Sequence, residues 1–257
     1  GLRTAQWLAD KGARSLVLLS RRGEAGEDVP HEILAGLRAA GVRVWAPACD
    51  VTDRAALADV LSRIGVDLPP LRGVVHAAMV IEDAMLGNLG RTQLHRVLAP
   101  KVLGALHLDA LTQGMPLDFF VLYSSATTLF GNPGQGAYVA ANMTLEGLAV
   151  DRLSRGLPAL CVCWGPIDDV GYLARHTQVR DALLARMGGQ ALRADEALKV
   201  LEGLLVRGCS NVAVMDLAWG ALERFLPSAG APKFAELAAL GSDATSGGEG
   251  GDDLRRR

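Results

Sequence analysis

Residues 119–164 read FFVLYSSATTLFGNPGQGAYVAANMTLEGLAVDRLSRGLPALCVCW. Two short apolar runs, Phe119 to Tyr123 and Ala159 to Cys163, flank a segment from Ala141 to Arg155 whose apolar residues recur every three or four positions. A strand buried on both faces has no polar alternation, and a core-facing helix has that three-four spacing, so the stretch predicts a β-α-β unit. Working outward, Leu16 to Leu19, Val42 to Ala46, Gly73 to Ala77 and Val212 to Met215 are further β-type runs rich in Val and Leu. Thr4 to Lys11, His31 to Ala40, Arg54 to Ile64 and Arg91 to Leu111 are further helical runs. Asp53 and Thr92 stand where caps belong, and Gly12, Gly41 and Gly156 follow helical runs where a left-handed residue is cheapest. Repeated units of this kind close into a parallel sheet with helices on both faces, because the crossovers are right-handed. The expected fold is α/β, a doubly wound parallel sheet of Rossmann type.

Composition narrows the function. Of 257 residues, 50% are hydrophobic and 21% charged, enough aliphatic material for a buried core. Lys plus Arg number 26 against 28 Asp plus Glu, so 26 − 28 leaves a formal charge of −2. That balance argues against a surface built to neutralise phosphates, and no nucleic-acid partner is expected. The longest uncharged stretch, Phe119 to Leu145, contains Ser124, Ser125, Asn132, Pro133, Gly134 and Gln135, which hydrocarbon would leave unpaired. No membrane span is expected, and the amino terminus has no secretory pattern, so a cytoplasmic location follows. Cys49 and Cys209 stand alone, and Cys161 and Cys163 alternate on one strand without metal or redox spacing, so all four are read as core thiols and no metal is expected. After Pro227 the pattern weakens, and residues 241–257 are rich in glycine and acids. The domain is therefore placed at 1–227, with a linker or disordered tail at 228–257.

In a dinucleotide-binding sheet of order 3-2-1-4-5-6 the first strand is central, and the turn after it carries glycines that admit a pyrophosphate. The helical run near the amino terminus follows Gly1 directly, so the expectation is a domain lacking its first strand and most of its glycine loop. Gly1 would be the last glycine, at a helix N-terminus facing phosphate. Such a chain should expose two strand edges and be poorly stable. Past the Leu16 to Leu19 run, Ser20, Arg21 and Arg22 offer arginine and no acid where the adenosine ribose is met, which favours NADP over NAD. A solvated basic turn is the plain alternative. Asp50 and Val51 follow the next strand, where an acid and a backbone amide could meet an adenine edge or cap a helix.

Tyr138 lies thirteen positions after Ser125, and Asn142 lies one helical turn beyond Tyr138 on the same face. Lys101 sits on the preceding helix. A tyrosine with an ordinary pKa of ~10 is a poor acid near neutrality unless a cation or hydrogen bond favours its phenolate, and lysine supplies that influence. The group suits carbonyl reduction.

The strings SRRG, CDVTD, GVVHAA, LAPKVLGALHL, YSSATTLFGNPGQGAYVAAN and WGPIDDVG stand in one order along residues 20–171. Together they resemble a ketoreductase domain of a modular polyketide synthase, within the short-chain dehydrogenase/reductase superfamily. The asparagine four residues after Tyr138, with lysine upstream, is the most diagnostic feature of the resemblance. It implies NADPH-dependent reduction of the β-keto group of a polyketide intermediate on an acyl carrier protein, beside other domains of the same polypeptide. By the same resemblance Tyr138 protonates the alkoxide, Ser125 donates a hydrogen bond to that oxygen, Lys101 binds the nicotinamide ribose, and Asn142 holds Lys101 or a relay water. His76, Ala77, Ala78 and Pro166 are implied to position the cofactor, with Gly1, Ser20, Arg21, Asp50, Val51, Lys101 and Tyr138. Ile81, Glu82 and Asp83 stand where related ketoreductases that form the D-alcohol have Leu-Asp-Asp, and Phe130 stands where the opposite class has tryptophan. A D-configured product is expected, with Asp83 and Gln135 as stereocontrol residues. A non-catalytic scaffold of the same fold and a nucleotide-sugar epimerase or dehydratase are the alternatives. The first would lack the tyrosine and lysine; the second would have them four apart.

Overall fold

The computed structural model describes residues 1–26, 31–187, 190–216, 230–236 and 239. In chain order the elements are α1 (Leu2–Asp10), β1 (Ser15–Val17), α2 (His31–Ala39), β2 (Arg43–Trp45), α3 (Arg54–Arg63), β3 (Gly73–His76), α4 (Arg91–Thr112) and β4 (Phe119–Ser125). They continue with α5 (Thr127–Phe130), α6 (Gly136–Ser154), β5 (Leu160–Trp164), α7 (Gly171–Arg175), α8 (Thr177–Met187), α9 (Ala194–Val206) and β6 (Asn211–Val214). Every strand pairing is parallel, as the β-α-β reading requires. Asp53 caps α3, its carboxylate accepting from the amides of Ala55 and Ala56, both at 3.0 Å. Thr92 does not cap α4. The helix starts one residue earlier, at Arg91, with Gly90 as its cap, so Thr92 is already inside the first turn. Gly12, Gly41 and Gly156 have φ of 104°, 79° and 72°, the left-handed region in which a Cβ is strained.

Alternation along the strands builds two cores. Phe120 and Leu122 of β4 point to one face, where Leu57 and Leu61 of α3, Leu108 of α4 and Leu145 and Leu148 of α6 pack on them. Val121, with Leu160 and Val162 of β5, points to the other, under Leu198, Leu201 and Leu204 of α9 and Trp7 of α1. Each fully buried leucine contributes roughly 1.5–3 kcal/mol, so these two layers carry most of the driving force. On the first face Arg152 of α6 is fully buried: it donates to Asp109 of α4 at 2.5 Å and to the Pro158 carbonyl at 3.1 Å, and it stacks 3.8 Å from the Phe120 ring centre. That contact staples α4 to α6 and both to the sheet.

Among the described residues the strands fall into two groups, β1-β2 and β3-β4-β5-β6, and no strand ladder joins the groups. A cavity of about 1410 Å³ separates them, walled by β1, by β3 and by Leu2, Thr4 and Ala5 of α1. Among the described residues no helix is long and apolar enough to cross a membrane. The boundary expected at 227 and the tail from 241 fall outside the described residues. Within the stretch expected to be linker, Pro232–Phe234 forms a short 3-10 turn and Phe234 packs on Phe130, 6.0 Å between ring centres. An apolar ring at 234 has a core to join, which a reading of composition alone passes over.

Candidate active site

Parallel strands end together, and here the C-terminal ends of β3, β4 and β5 meet the first turns of α5 and α6. β4 delivers Ser125 at its last position; its hydroxyl oxygen accepts from the Thr127 amide at 3.3 Å and the Thr127 hydroxyl at 3.0 Å. Tyr138 lies in the first turn of α6, where the loop from Gly131 turns the chain back over the sheet. Lys101 enters from α4, immediately after Pro100. Its side chain is buried, its Nζ donates to the Tyr123 carbonyl at 2.6 Å, and it lies 5.5 Å from the centre of the Tyr138 ring. Asn142 is fully buried one turn beyond Tyr138; its Nδ2 donates to the Tyr138 carbonyl at 2.8 Å, while its Oδ1 has no hydrogen-bond partner among the described residues. The four residues expected to act together are thus in one place.

Burial sets their proton affinities. Desolvation lowers Lys101 to about 8, because a buried ammonium loses its hydration. The Tyr138 phenol is raised by burial, opposed by hydrogen bonding from Asn142 and Ser125. His76 is lowered to about 4, by burial first and then by the nearby Lys101 charge. The Asp50 carboxyl is held down by its hydrogen bonds from the Thr52 amide at 2.9 Å and hydroxyl at 2.8 Å, so it braces its own turn.

The expected cofactor residues divide. Gly1, Ser20, Arg21, Val51, His76, Ala77 and Ala78 line the large cavity. Asp50, Lys101, Tyr138 and Pro166 stand outside its wall, and so do Ser125 and Asn142. Pro166 is buried and its carbonyl accepts from the Leu192 amide at 2.7 Å, tying the loop after β5 to the start of α9. The His76 side chain also reaches α4, with Nε2 3.0 Å from the Lys101 carbonyl. Asp83 and Gln135 do meet: the Gln135 amide donates to both Asp83 carboxylate oxygens at 3.2 Å, and its own oxygen accepts from Asn132 at 2.9 Å. The Ala84 amide donates to the Gly134 carbonyl at 2.8 Å, so the segment after β3 is laced to the loop before Tyr138.

Two neighbours were not among the expected site residues. Glu146, eight positions after Tyr138 on the same face of α6, accepts from the Ser124 hydroxyl at 2.9 Å and the Cys163 thiol at 3.3 Å, pinning α6 to β4 and β5. Helical spacing alone carried that signal. The Tyr138 hydroxyl is 3.9 Å from the Met79 sulfur, a contact across 59 residues that no local pattern announces.

A family model for the KR domain matches residues 1–169. The chain belongs to the ketoreductase domains of polyketide synthases. It is 39% identical over 222 residues to a phenolphthiocerol synthesis polyketide synthase of Mycobacterium marinum, covering 86% of this chain and 10% of that one. It is 40% identical over 241 residues to a polyketide synthase of Streptomyces halstedii, covering 92% of this chain and 3% of that one. Among solved structures, A-type ketoreductases from a modular polyketide synthase superpose with a TM-score of 0.86 at 38% identity, over 94% of this chain and 51% of theirs. An A1-type ketoreductase gives 0.86 at 37% identity, over 94% of this chain and 51% of its own. The ketoreductase chain therefore spans about half of those solved chains and a tenth or less of these two synthases.

Domains of this kind are nicotinamide-dependent reductases, and the residues here fit such a group. The amino end of α1 has Gly1 as cap, with no cap side chain and no acid in its first turn, so among the described residues the helix donors and the positive end of its dipole suit a phosphate. Arg21 lies on the same cavity wall. The unpaired Asn142 Oδ1 is a buried acceptor beside Lys101 and Tyr138, which a hydroxyl or a water would satisfy.

Proposed function

We propose that this ketoreductase reduces the β-keto group of a polyketide intermediate, carried on an acyl carrier protein, to a D-configured hydroxyl with NADPH, in the cytoplasm. The observation that carries the reading is the convergence of Lys101, Tyr138, Ser125 and Asn142 from three separate segments, with the Lys101 amine 5.5 Å from the Tyr138 ring centre. The 1–169 match and the synthase relatives support the reaction class. Arginine at position 21 supports a 2′-phosphate on the cofactor.

When bound, the reduced nicotinamide supplies the hydride. Tyr138 holds the proton that the product oxygen takes up. Its phenol is raised by burial, against the hydrogen bonds of Asn142 and Ser125, so it stays protonated through the neutral range; the part given to the Lys101 ammonium, 5.5 Å from the ring centre, is to lower the cost of giving that proton away. Ser125 donates to the same oxygen as its charge grows; such a donor is commonly worth about 10²–10³ in rate. Asn142 braces the first turn of α6 through the Tyr138 carbonyl and leaves Oδ1 for a proton-carrying partner. Asp83 and Gln135 hold the segment after β3 against the Tyr138 loop, and so set which face of the ketone is presented.

Loss of NADPH absorbance with a β-ketothioester, followed by chiral separation of the product, tests this. Turnover should vanish in Tyr138→Phe while NADPH binding persists. A parent chain that binds NADPH without turnover would instead support the scaffold reading, and an L-alcohol would reject the assigned configuration.

A further inference from the structure

We propose that His76 positions Lys101: its imidazole hydrogen-bonds the Lys101 carbonyl and seats against Gly104, fixing the turn of α4 from which the amine reaches in beside the Tyr138 ring. The inference rests on the role given to Lys101 above.

Pro100 lies inside α4, where it removes one backbone donor and loosens the helix. Lys101 follows at once, so the residue that must aim the amine adjoins the break in the helix ladder. His76 ends β3 directly beneath it. The imidazole is buried, and its Nε2 lies 3.0 Å from the Lys101 carbonyl. A carbonyl has two lone pairs, so this oxygen can take the imidazole proton and still serve the helix.

The seat is cut to fit the ring. A Cβ at Gly104 would stand 2.9 Å from His76 Cε1 and 2.8 Å from Val51 Cγ2, closer than carbon atoms approach. Glycine at 104 therefore lets α4 settle onto the imidazole. Buried beside an ammonium, the ring stays neutral, with its value near 4. Facing a carbonyl, the neutral ring must carry its proton on Nε2.

Lys101 is then gripped at both ends from neighbouring strands. β3 holds its backbone through His76, and β4 holds its amine through the Tyr123 carbonyl at 2.6 Å. The two strands are locked in register, with His76 opposite Leu122. The distance between the two grips is thus fixed by the sheet.

The test uses the full chain with His76→Leu, His76→Gln and Gly104→Ala, each corrected for its folded fraction by circular dichroism. NADPH affinity is read from cofactor fluorescence, and kcat and KM from reduction of a β-ketothioester. His76→Leu and Gly104→Ala should each lower kcat by about ten- to a hundredfold, the scale of a small misplacement of a catalytic group, with KM for the thioester within about twofold. A glutamine side-chain amide nitrogen reaches the place of the imidazole Nε2, so His76→Gln should recover most of the rate. Unchanged kcat per folded molecule in His76→Leu, beside a dead Lys101→Ala, would overturn the inference and leave the catalytic reading intact. An active Lys101→Ala would remove both. If His76→Leu does not fold, unchanged kcat in Gly104→Ala, or no recovery in His76→Gln, would be decisive against it.

Discussion

Lys101 titrates inside the working range of the enzyme, and the rate should report it. Burial lowers its ammonium to about 8. The groups facing it are the Tyr123 carbonyl, the Tyr138 ring and the thiol of Cys161, with neutral His76 behind its backbone. From that value, about nine-tenths of Lys101 is charged at pH ~7 and about one-tenth at pH ~9. If the charge is what eases proton loss from Tyr138, kcat/KM for reduction should fall about tenfold over that span. The Tyr138 phenol is raised above its ordinary value, so its own titration lies beyond this window. The assay is NADPH oxidation with a β-ketothioester at constant ionic strength. Arginine stays charged throughout, so any residual activity of Lys101→Arg should lack the fall near pH ~8. A parent profile flat to pH ~10, or the same fall in the arginine variant, would refute the reasoning.

The same burial should make Lys101 a cost to the fold. Below its folded value of about 8 both states hold the proton and the penalty is complete; between there and the ordinary 10.5 the unfolded chain binds more protons, so stability rises with pH. Lys101→Met should therefore raise the melting temperature near neutrality, by about 1–3 kcal/mol of stability in a denaturant titration, while reduction is lost. Arg152→Ala takes from Phe120 its stacked guanidinium and from Asp109 one of its two arginines, leaving Arg155 at 3.0 Å, and should cost about 1.5–3 kcal/mol by the same titration. Asp53→Ala removes the cap of α3 and should cost about 1 kcal/mol with kcat unchanged, since α3 carries none of the reacting groups.

What could be read from the sequence was the part written in short-range pattern. Phe119 to Tyr123 and Ala159 to Cys163 are strands because both of their faces are covered, which a continuous apolar run states directly. Tyr138 and Asn142 share a helix face because four residues nearly complete a turn. α9 carried the same signal, with Ala197, Leu198, Leu201 and Leu204 at three-four spacing, and it is the helix that leads into β6, but the long irregular stretch between β5 and α9 hid the β-α-β unit it belongs to. α7 and α8 lacked it, and α7 buries no residue. Reading Gly73 to Ala77 as a strand put His76 near a strand end, but a strand position does not say that Gly104 leaves space for an imidazole against α4. The contact of Phe234 with Phe130 is likewise a matter of tertiary fit.

That Lys101 comes from α4 while Asn142 comes from α6 makes the site depend on how these two helices are held together. The amine and the amide enter one volume from opposite helices, so neither helix alone fixes their separation. Three contacts do: the Arg152 to Asp109 bridge at 2.5 Å between the helices, the Glu146 anchor of α6 on Ser124 at 2.9 Å, and the seat of α4 on β3 at His76 and Gly104. Each ties a helix to its partner or to the sheet, on the side away from the solvent. The reacting geometry is thus a property of the packed interface between α4, α6 and the strand ends, with buried polar groups setting its register where apolar packing alone would allow the helices to slide.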